Sequence, residues 1–431
     1  MLEQTRWRRM LPVVFLGWLQ FACLTTADAM PAFARTYNVS CSTCHSAFPR
    51  LSPAGEMFAD EWNFRMPNWK QQSLDLGDDR LYLPKELPVG IRAQGFVQVR
   101  DGESIDPVSG EVEADSSTDF QSPYLIKLLA SAPLSDQISF YFYAIFAEKG
   151  GNGEVVVEDA WFSYGDLFNT GIGMQLGQFQ VSDLMFPREV RLTFQDFMLY
   201  RMAGVTYERG VLFGREVGPL QVDLGFVNGN GIDANASINS PGFRRADRLF
   251  DNDTSKTIFG RVGTDVGNVA VGLFALSGKQ RNAAGPAGTL TGDRDTDKRI
   301  FGLDFAGELR DGVHWFAQGL WNDWDGFLDP GTSYEWHGAF AGIDWVRNER
   351  WTHSLLYNYA DAGDFDGTNT VFEGIDMNSL TLSSSYYFMR NVKGVIELNV
   401  DFLSTREPSG PFFTGHLGRE HYFLVGFDAA F

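Results

Sequence analysis

Cysteine is nearly absent from this 431-residue chain: three occur, too few for a disulfide framework. Basic residues are also scarce. There are 35 Lys and Arg against 55 Asp and Glu, a formal net charge of −20. So acidic a chain lacks the positive face that displaces counterions from phosphate, which excludes nucleic acid as a partner. After the N-terminus no stretch holds the roughly 18 consecutive apolar residues of a membrane helix. Glycine and aromatics are what the chain has in quantity, with 46 Gly, 37 Phe, 14 Tyr and 11 Trp. At 44% apolar it is no disordered chain. With a slightly negative mean hydropathy, this composition points away from a helical membrane protein and toward many β-strands.

Residues 1–29 are laid out as a secretory signal. Arg6, Arg8 and Arg9 form the positive start, residues 10–24 the apolar run, and Ala27-Asp28-Ala29 the small residues before cleavage. The run is short for a retained anchor. Gln20-Phe21-Ala22 fits poorly ahead of Cys23 as a lipoprotein signal.

Cleavage after Ala29 leaves two cysteines, both in Cys41-Ser42-Thr43-Cys44-His45. Thiols at this spacing on one helical turn can add to the two vinyl groups of haem, with the adjacent histidine beneath the iron. A CxxC redox pair is the rival reading, but no βαβ pattern surrounds it. Zinc needs two further nearby ligands, and the next histidine is His314. One covalently bound haem is therefore expected, on Cys41 and Cys44, with His45 as proximal ligand.

For the distal ligand the candidates are Met66, Met57 and, more weakly, Met30. Ser52-Pro53 reads as a helix N-cap with proline in the first turn. The helix is expected to run to about Arg65 and to stop before Pro67. Met66 at its end can swing a thioether toward the iron, which raises the potential. Met57 falls beside Phe58 and Trp62, where core filling is the competing role. His337, His353, His416 and His421 lie far along the chain, within reach only through folding. Arg50 and Arg65 are candidate partners for haem propionates, or solvated surface charge.

From Leu87 the chain alternates at period 2. Ile396, Leu398, Val400 and Phe402 oppose Glu397, Asn399 and Asp401; Phe301, Leu303, Phe305 and Leu309 oppose Asp304, Glu308 and Arg310. In the first strand, 87–100, Arg92, Gln94, Gln98 and Arg100 form the polar face. Apolar-out, polar-in alternation suits a transmembrane β-barrel, but a soluble sandwich alternates equally well. Connection lengths decide. Sixteen segments, from 87–100 through 121–132 and 202–213 to 420–431, are joined alternately by short turns such as Asp311-Gly312 and by long loops such as 101–120, 181–201, 230–254 and 362–376. Turns on one rim and loops on the other is how outer-membrane barrels are built. Trp345 and Trp351 flank a short turn, where an aromatic girdle belongs. The chain ends in Phe431, with Phe427, Val425 and Phe423 on the same face.

The expected division is therefore signal 1–29, a helical haem segment 30–86, and an all-β, sixteen-stranded antiparallel barrel 87–431. A segment of that size is marginal as an independent core. A sixteen-stranded barrel has an aqueous lumen. The haem segment is thus expected inside the barrel or at its periplasmic mouth, touching inward residues such as Arg92, Gln94 and Asp304.

The stretch Pro31-Ala32-Phe33-Ala34-Arg35, the CxxCH at Cys41–His45, and Phe48-Pro49-Arg50-Leu51-Ser52-Pro53-Ala54-Gly55 with Phe58 resemble the fused monohaem cytochrome–porin family of the bacterial outer membrane. Its best-known members are iron oxidases of iron-oxidising bacteria. The resemblance implies that the haem takes electrons from ferrous iron at the cell surface and passes them to a periplasmic c-type cytochrome or similar acceptor. It also assigns Cys41 and Cys44 to attachment and His45 to the proximal position.

Two loops bear on the mechanism. Asp101, Glu103, Asp106, Glu111, Glu113, Asp115 and Asp119 in the first, and Asp361, Asp364, Asp366, Glu373 and Asp376 near 361–376, can concentrate cations or simply form a solvated rim. The third outer loop, with Asp183, Leu184, Met185, Phe186, Arg188, Glu189, Arg191 and Asp196, is expected by analogy with general porins to fold inward and bound the haem chamber. Three functions follow: electron transfer from ferrous iron, the same conduit with another donor or direction, or a solute porin with an accessory haem.

Overall fold

The structure, a computed structural model, describes residues 32–59, 64–66, 73–74, 76–78, 80–81, 83–85, 88–105, 111–148, 155–188, 198–229, 255–283, 294–406 and 419–431. The signal peptide, Met30, Trp62, Pro67, Asp106, Glu189, Arg191, Asp196 and His416 lie outside the described residues.

Sixteen strands close into one antiparallel barrel. In chain order they are β1 (Val89–Ile105), β2 (Val112–Pro133), β3 (Ile138–Glu148), β4 (Val156–Tyr164), β5 (Gly173–Gln180), β6 (Tyr207–Val217), β7 (Leu220–Val227) and β8 (Thr257–Val266). The second half comprises β9 (Val269–Arg281), β10 (Asp295–Arg310), β11 (Val313–Asp325), β12 (Ser333–Val346), β13 (Trp351–Asp361), β14 (Met377–Met389), β15 (Val392–Asp401) and β16 (Glu420–Ala430). Each strand pairs with the next, and β16 closes on β1 with Val425 opposite Val97 and Phe427 opposite Gly95. Closure leaves no open edge to pair with another chain. The β10–β11 turn is the two-residue Asp311-Gly312, with Gly312 at φ 72°, a left-handed conformation that suits glycine.

The outward face is apolar. Ile258, Leu273, Phe301, Leu355, Leu382 and Leu398 stand exposed, while Arg261, Asp304, Asn358, Thr381, Glu397 and Asn399 are buried on the inner side. Phe427 and Phe431 are also outward, and Phe431 exchanges backbone hydrogen bonds with Ile91 at 2.9 and 2.7 Å. Trp345, His353, Trp351 and Tyr386 form a run of ring contacts beside the 347–350 turn, as a girdle should. Among the described residues no helix is long and apolar enough to cross a membrane.

Three expectations are corrected. The first outer loop is mostly strand, because pairing of β1 with β2 continues from Asp101–Ser116 to Ile105–Val112. The segment expected as strand 202–213 begins instead with a short helix, Met198–Ala203, and pairs only from Tyr207. The inner wall is not uniformly polar. Phe259, Phe274, Phe316, Leu320, Phe340 and Leu356 face inward and pack with Val181, Met185, Leu199 and Tyr200 of the third loop. That loop is fixed by Gln318 Nε2 donating to the Phe186 carbonyl (3.2 Å) and Lys298 Nζ to the Gly204 carbonyl (3.3 Å). Its described part thus folds inward and packs an apolar core against the wall, as the inward-folding expectation required.

Candidate functional site

Among the described residues the N-terminal segment has three short helices, α1 (Ala32–Tyr37), α2 (Cys41–Cys44) and α3 (Pro53–Ala59). The expected cap is present: Gly55 N–H donates to Ser52 Oγ at 3.2 Å, with Pro53 first in the helix. Ser52 also ties α3 to α2, its N–H reaching the Cys44 carbonyl (2.9 Å) and its hydroxyl the Thr43 carbonyl (3.1 Å). Phe33, Tyr37, Phe58 and Phe64 form an aromatic cluster with ring centroids 5.1–5.7 Å apart. Phe64 continues it onto the barrel, 5.4 Å from both Tyr141 and Trp161.

Ion pairs dock this segment against the inner wall. Arg50 Nε lies 2.9 Å from Asp344 Oδ2, both side chains nearly water-free at 6% and 2% exposure, with the guanidinium 4.7 Å from the Phe316 ring. Glu56 meets Arg188 of the third loop at 2.7 Å, and Arg65 meets Asp136 of the β2–β3 turn at 2.9 Å. Lys393 Nζ donates to the Phe48 carbonyl at 2.5 Å. Arg50 and Arg65, offered as propionate partners or surface charge, are engaged by the barrel carboxylates Asp344 and Asp136. Asp304 is likewise corrected: it pairs with Arg261 at 2.7 Å.

Between the segment and the wall lies a cavity of about 400 Å³, within the roughly 300–1,000 Å³ usual for small-molecule and cofactor sites. Cys41, Cys44 and His45 all open onto it. Phe58, Phe64, Trp161, Phe179 and Leu184 give it an apolar side; Arg92, Lys127, Arg188 and Lys393 give it cations. Asp183, Leu184 and Arg188 of the third loop bound it, as expected.

His45 Nδ1 is 2.9 Å from the Pro49 carbonyl. Only an N–H can donate to a carbonyl, so the neutral ring carries its proton there and keeps the Nε2 lone pair for a metal. Burial lowers the imidazole to about 4, so it is neutral at pH 7. Burial raises both thiols, and Cys44 is raised further by Cys41. Two thiols one turn apart and an imidazole with its outer nitrogen available form a donor set that can bind haem covalently.

Among the described residues no methionine lines the cavity. α3 is described over Pro53–Ala59, and at Phe64, with φ 58° and its carbonyl accepting from Tyr37 Oη (2.7 Å), the backbone is not helical. Met57 is exposed. Among the described residues no histidine of the barrel lines the cavity. His353 lies among the girdle rings, and His421 Nδ1 accepts from the Asp401 N–H.

The acidic loop near 361–376 is internally engaged. Arg406 bridges Asp366 (2.8 Å) and Asp376 (3.0 Å), and Asp364 accepts from the Glu335 N–H. Among the described residues no group of His, Cys, Asp and Glu is arranged to hold a metal ion. Sequence reasoning missed Lys393, Asp428, Tyr141 and Trp161. Lys393 shares the inward parity of Glu397 and Asn399, but its partner Asp428 on the neighbouring strand needs the register.

No protein-family model and no curated protein matches this chain. Solved structures do. The outer membrane channel DcaP of Acinetobacter baumannii has a TM-score of 0.51 and 11% identity, covering 80% of this chain and 97% of that one. The anion-selective porin from Comamonas acidovorans scores 0.50 at 14% identity, covering 80% and 100%. Salmonella typhi OmpF, in complex with daunomycin, scores 0.50 at 12% identity, covering 80% and 97%. At such identities the likeness establishes the fold, a porin-like sixteen-stranded barrel.

Proposed function

We propose that this chain is an outer-membrane electron-transfer protein. It attaches one c-type haem through Cys41 and Cys44, ligates its iron with His45, and relays electrons from an extracellular donor, ferrous iron, to a periplasmic c-type cytochrome or similar carrier. The observation that carries the reading is the opening of both thiols and His45 onto one cavity whose other side is barrel wall. The outward apolar face and the porin-like fold support a lipid bilayer as surroundings.

Bound there, haem supplies a one-electron iron couple. The chain's own residues do the rest. Phe58, Phe64, Trp161 and Phe179 exclude water, and Arg92, Lys127, Arg188 and Lys393 offset carboxylate charge at the cavity edge. The apolar band of such a barrel is about 25 Å tall, too far for one centre to wire alone. The haem must therefore sit where a donor reaches it from one side and an acceptor from the other.

Anaerobic addition of ferrous iron to membranes containing the protein is expected to produce the reduced-haem absorbance. The Cys41→Ser/Cys44→Ser double variant should give none. Reduction by another donor but not by ferrous iron would assign the same conduit a different substrate or direction.

The porin-like fold favours a second reading, solute diffusion. Against it stands the apolar packing of the third loop across the lumen. Liposomes carrying the protein are expected to swell no faster than empty ones in small sugars; rapid swelling would favour the diffusion reading.

A further inference from the structure

The loop that follows the CxxCH motif is gripped by a charged triad from three barrel strands. Lys393 (β15) and Asp428 (β16) are direct cross-strand partners, and Arg92 on β1 pairs with Ala430, diagonal to Asp428. Arg92 donates to both Asp428 carboxylate oxygens at 2.9 and 2.7 Å, and Lys393 Nζ lies 3.6 Å from the same carboxylate. Asp428 and Lys393 are buried, with side-chain exposures of 2% and 5%.

Both cations reach the proximal loop. Lys393 donates to the Phe48 carbonyl at 2.5 Å. The Arg92 guanidinium and the Lys393 ammonium lie 5.4 and 5.6 Å from the Phe48 ring centre. That ring meets the His45 imidazole edge-on, centroids 4.9 Å apart, and the next carbonyl, Pro49, accepts the Nδ1–H. Two cations and one carboxylate leave a net positive charge in a low-dielectric wall, where electrostatic effects are weakly screened. Of the other carboxylates lining the cavity, Glu158 is paired with Lys127 at 3.7 Å, while Asp183, Asp159 (accepting from Trp161 Nε1, 3.3 Å) and Glu397 (accepting from Tyr422 Oη, 2.6 Å) keep their charge; the triad is the charged group that touches the loop bearing His45.

We propose that Lys393 and Arg92, held by Asp428, are positioning residues for His45 and raise the reduction potential of the iron it ligates. This rests on the haem reading above. The ferric state carries one more positive charge than the ferrous, so a nearby net cation disfavours it and favours accepting an electron. The barrel wall, far from the attachment motif in sequence, then tunes the centre.

The test is a spectroelectrochemical titration of detergent-purified holoprotein. Lys393→Met is expected to lower the midpoint potential, Asp428→Asn to raise it, and Lys393→Arg to stay near the parent value. Opposite shifts in the first two separate charge from general disturbance of the fold. Unchanged potentials in both, or shifts of the same sign, overturn the inference while leaving haem attachment intact. If Lys393→Met fails to fold, Asp428→Asn and Lys393→Gln decide by the same signs. A parent chain that carries no haem overturns the underlying reading first, and this inference with it.

Discussion

Replacing Arg50 by alanine is expected to release the N-terminal segment from the barrel. The Arg50–Asp344 pair is nearly free of solvent, so deleting the cation leaves Asp344 buried with the Ser354 hydroxyl, at 2.7 Å, as its one hydrogen-bond donor among the described residues. Removing one partner of such a pair costs about 3–5 kcal/mol, whereas removing both costs less because no orphan charge stays behind. The Arg50–Phe316 contact disappears as well. Limited proteolysis of the intact protein in detergent should therefore cut within residues 32–59 roughly a hundredfold faster or more, with β-sheet circular dichroism unchanged. The Arg50→Ala/Asp344→Ala double variant should cleave more slowly than Arg50→Ala alone. Equal protection in the parent and Arg50→Ala would show that the pair does not hold the segment.

Gly55→Ala carries the second large effect. A Cβ at this position would stand 2.0 Å from the Cys44 carbonyl oxygen and 3.2 Å from its Cα, backbone against backbone. No rotamer relieves that contact. Either α3 lifts away or α2 shifts, and α2 holds both thiols. Overpacking usually costs about 1–3 kcal/mol, but here the displaced group is also the attachment site. Haem per polypeptide should fall sharply in Gly55→Ala. Exposed Ala54→Ser, one residue away, should leave it unchanged. A Gly55→Ala protein with the full complement of haem would show that the α2–α3 contact does not set the geometry of attachment.

Much of the barrel could be read before folding, for a physical reason. A strand between lipid and lumen must alternate, so its ends show wherever the alternation stops. The segment 420–431 matches β16 to within one residue. What the pattern hid was pairing beyond the expected apolar band. The acidic first hairpin continues as strand because backbone hydrogen bonds need no apolar face. It also hid the apolar lining, since Phe259 and Ile258 are adjacent apolar residues on opposite faces of β8.

The site divides the same way. CxxCH is local chemistry, legible from spacing alone, and the Ser52-Pro53 cap was equally visible. Partners were not. Arg50 announced a charge, but its carboxylate lies 294 residues away on β12. Arg92 finds Asp428 336 residues along the chain because the last strand closes on the first. Such contacts belong to the barrel's closure and register, which no segment read alone contains. The helix end failed for a related reason. Phe64 leaves the expected helix for the Tyr141–Trp161 pair on the wall, and that attraction exists only once the segment is docked.

The central claim is that one haem is bonded to Cys41 and Cys44 at a cavity whose other half is the barrel. Intact-mass measurement on the chain exported from a host equipped for c-type haem maturation tests it most directly. The account predicts a mature polypeptide, extractable only with detergent, heavier by one haem, with the added mass on the peptide containing Cys41–His45. An exported polypeptide of unmodified mass, or one that stays in solution without detergent, would contradict it.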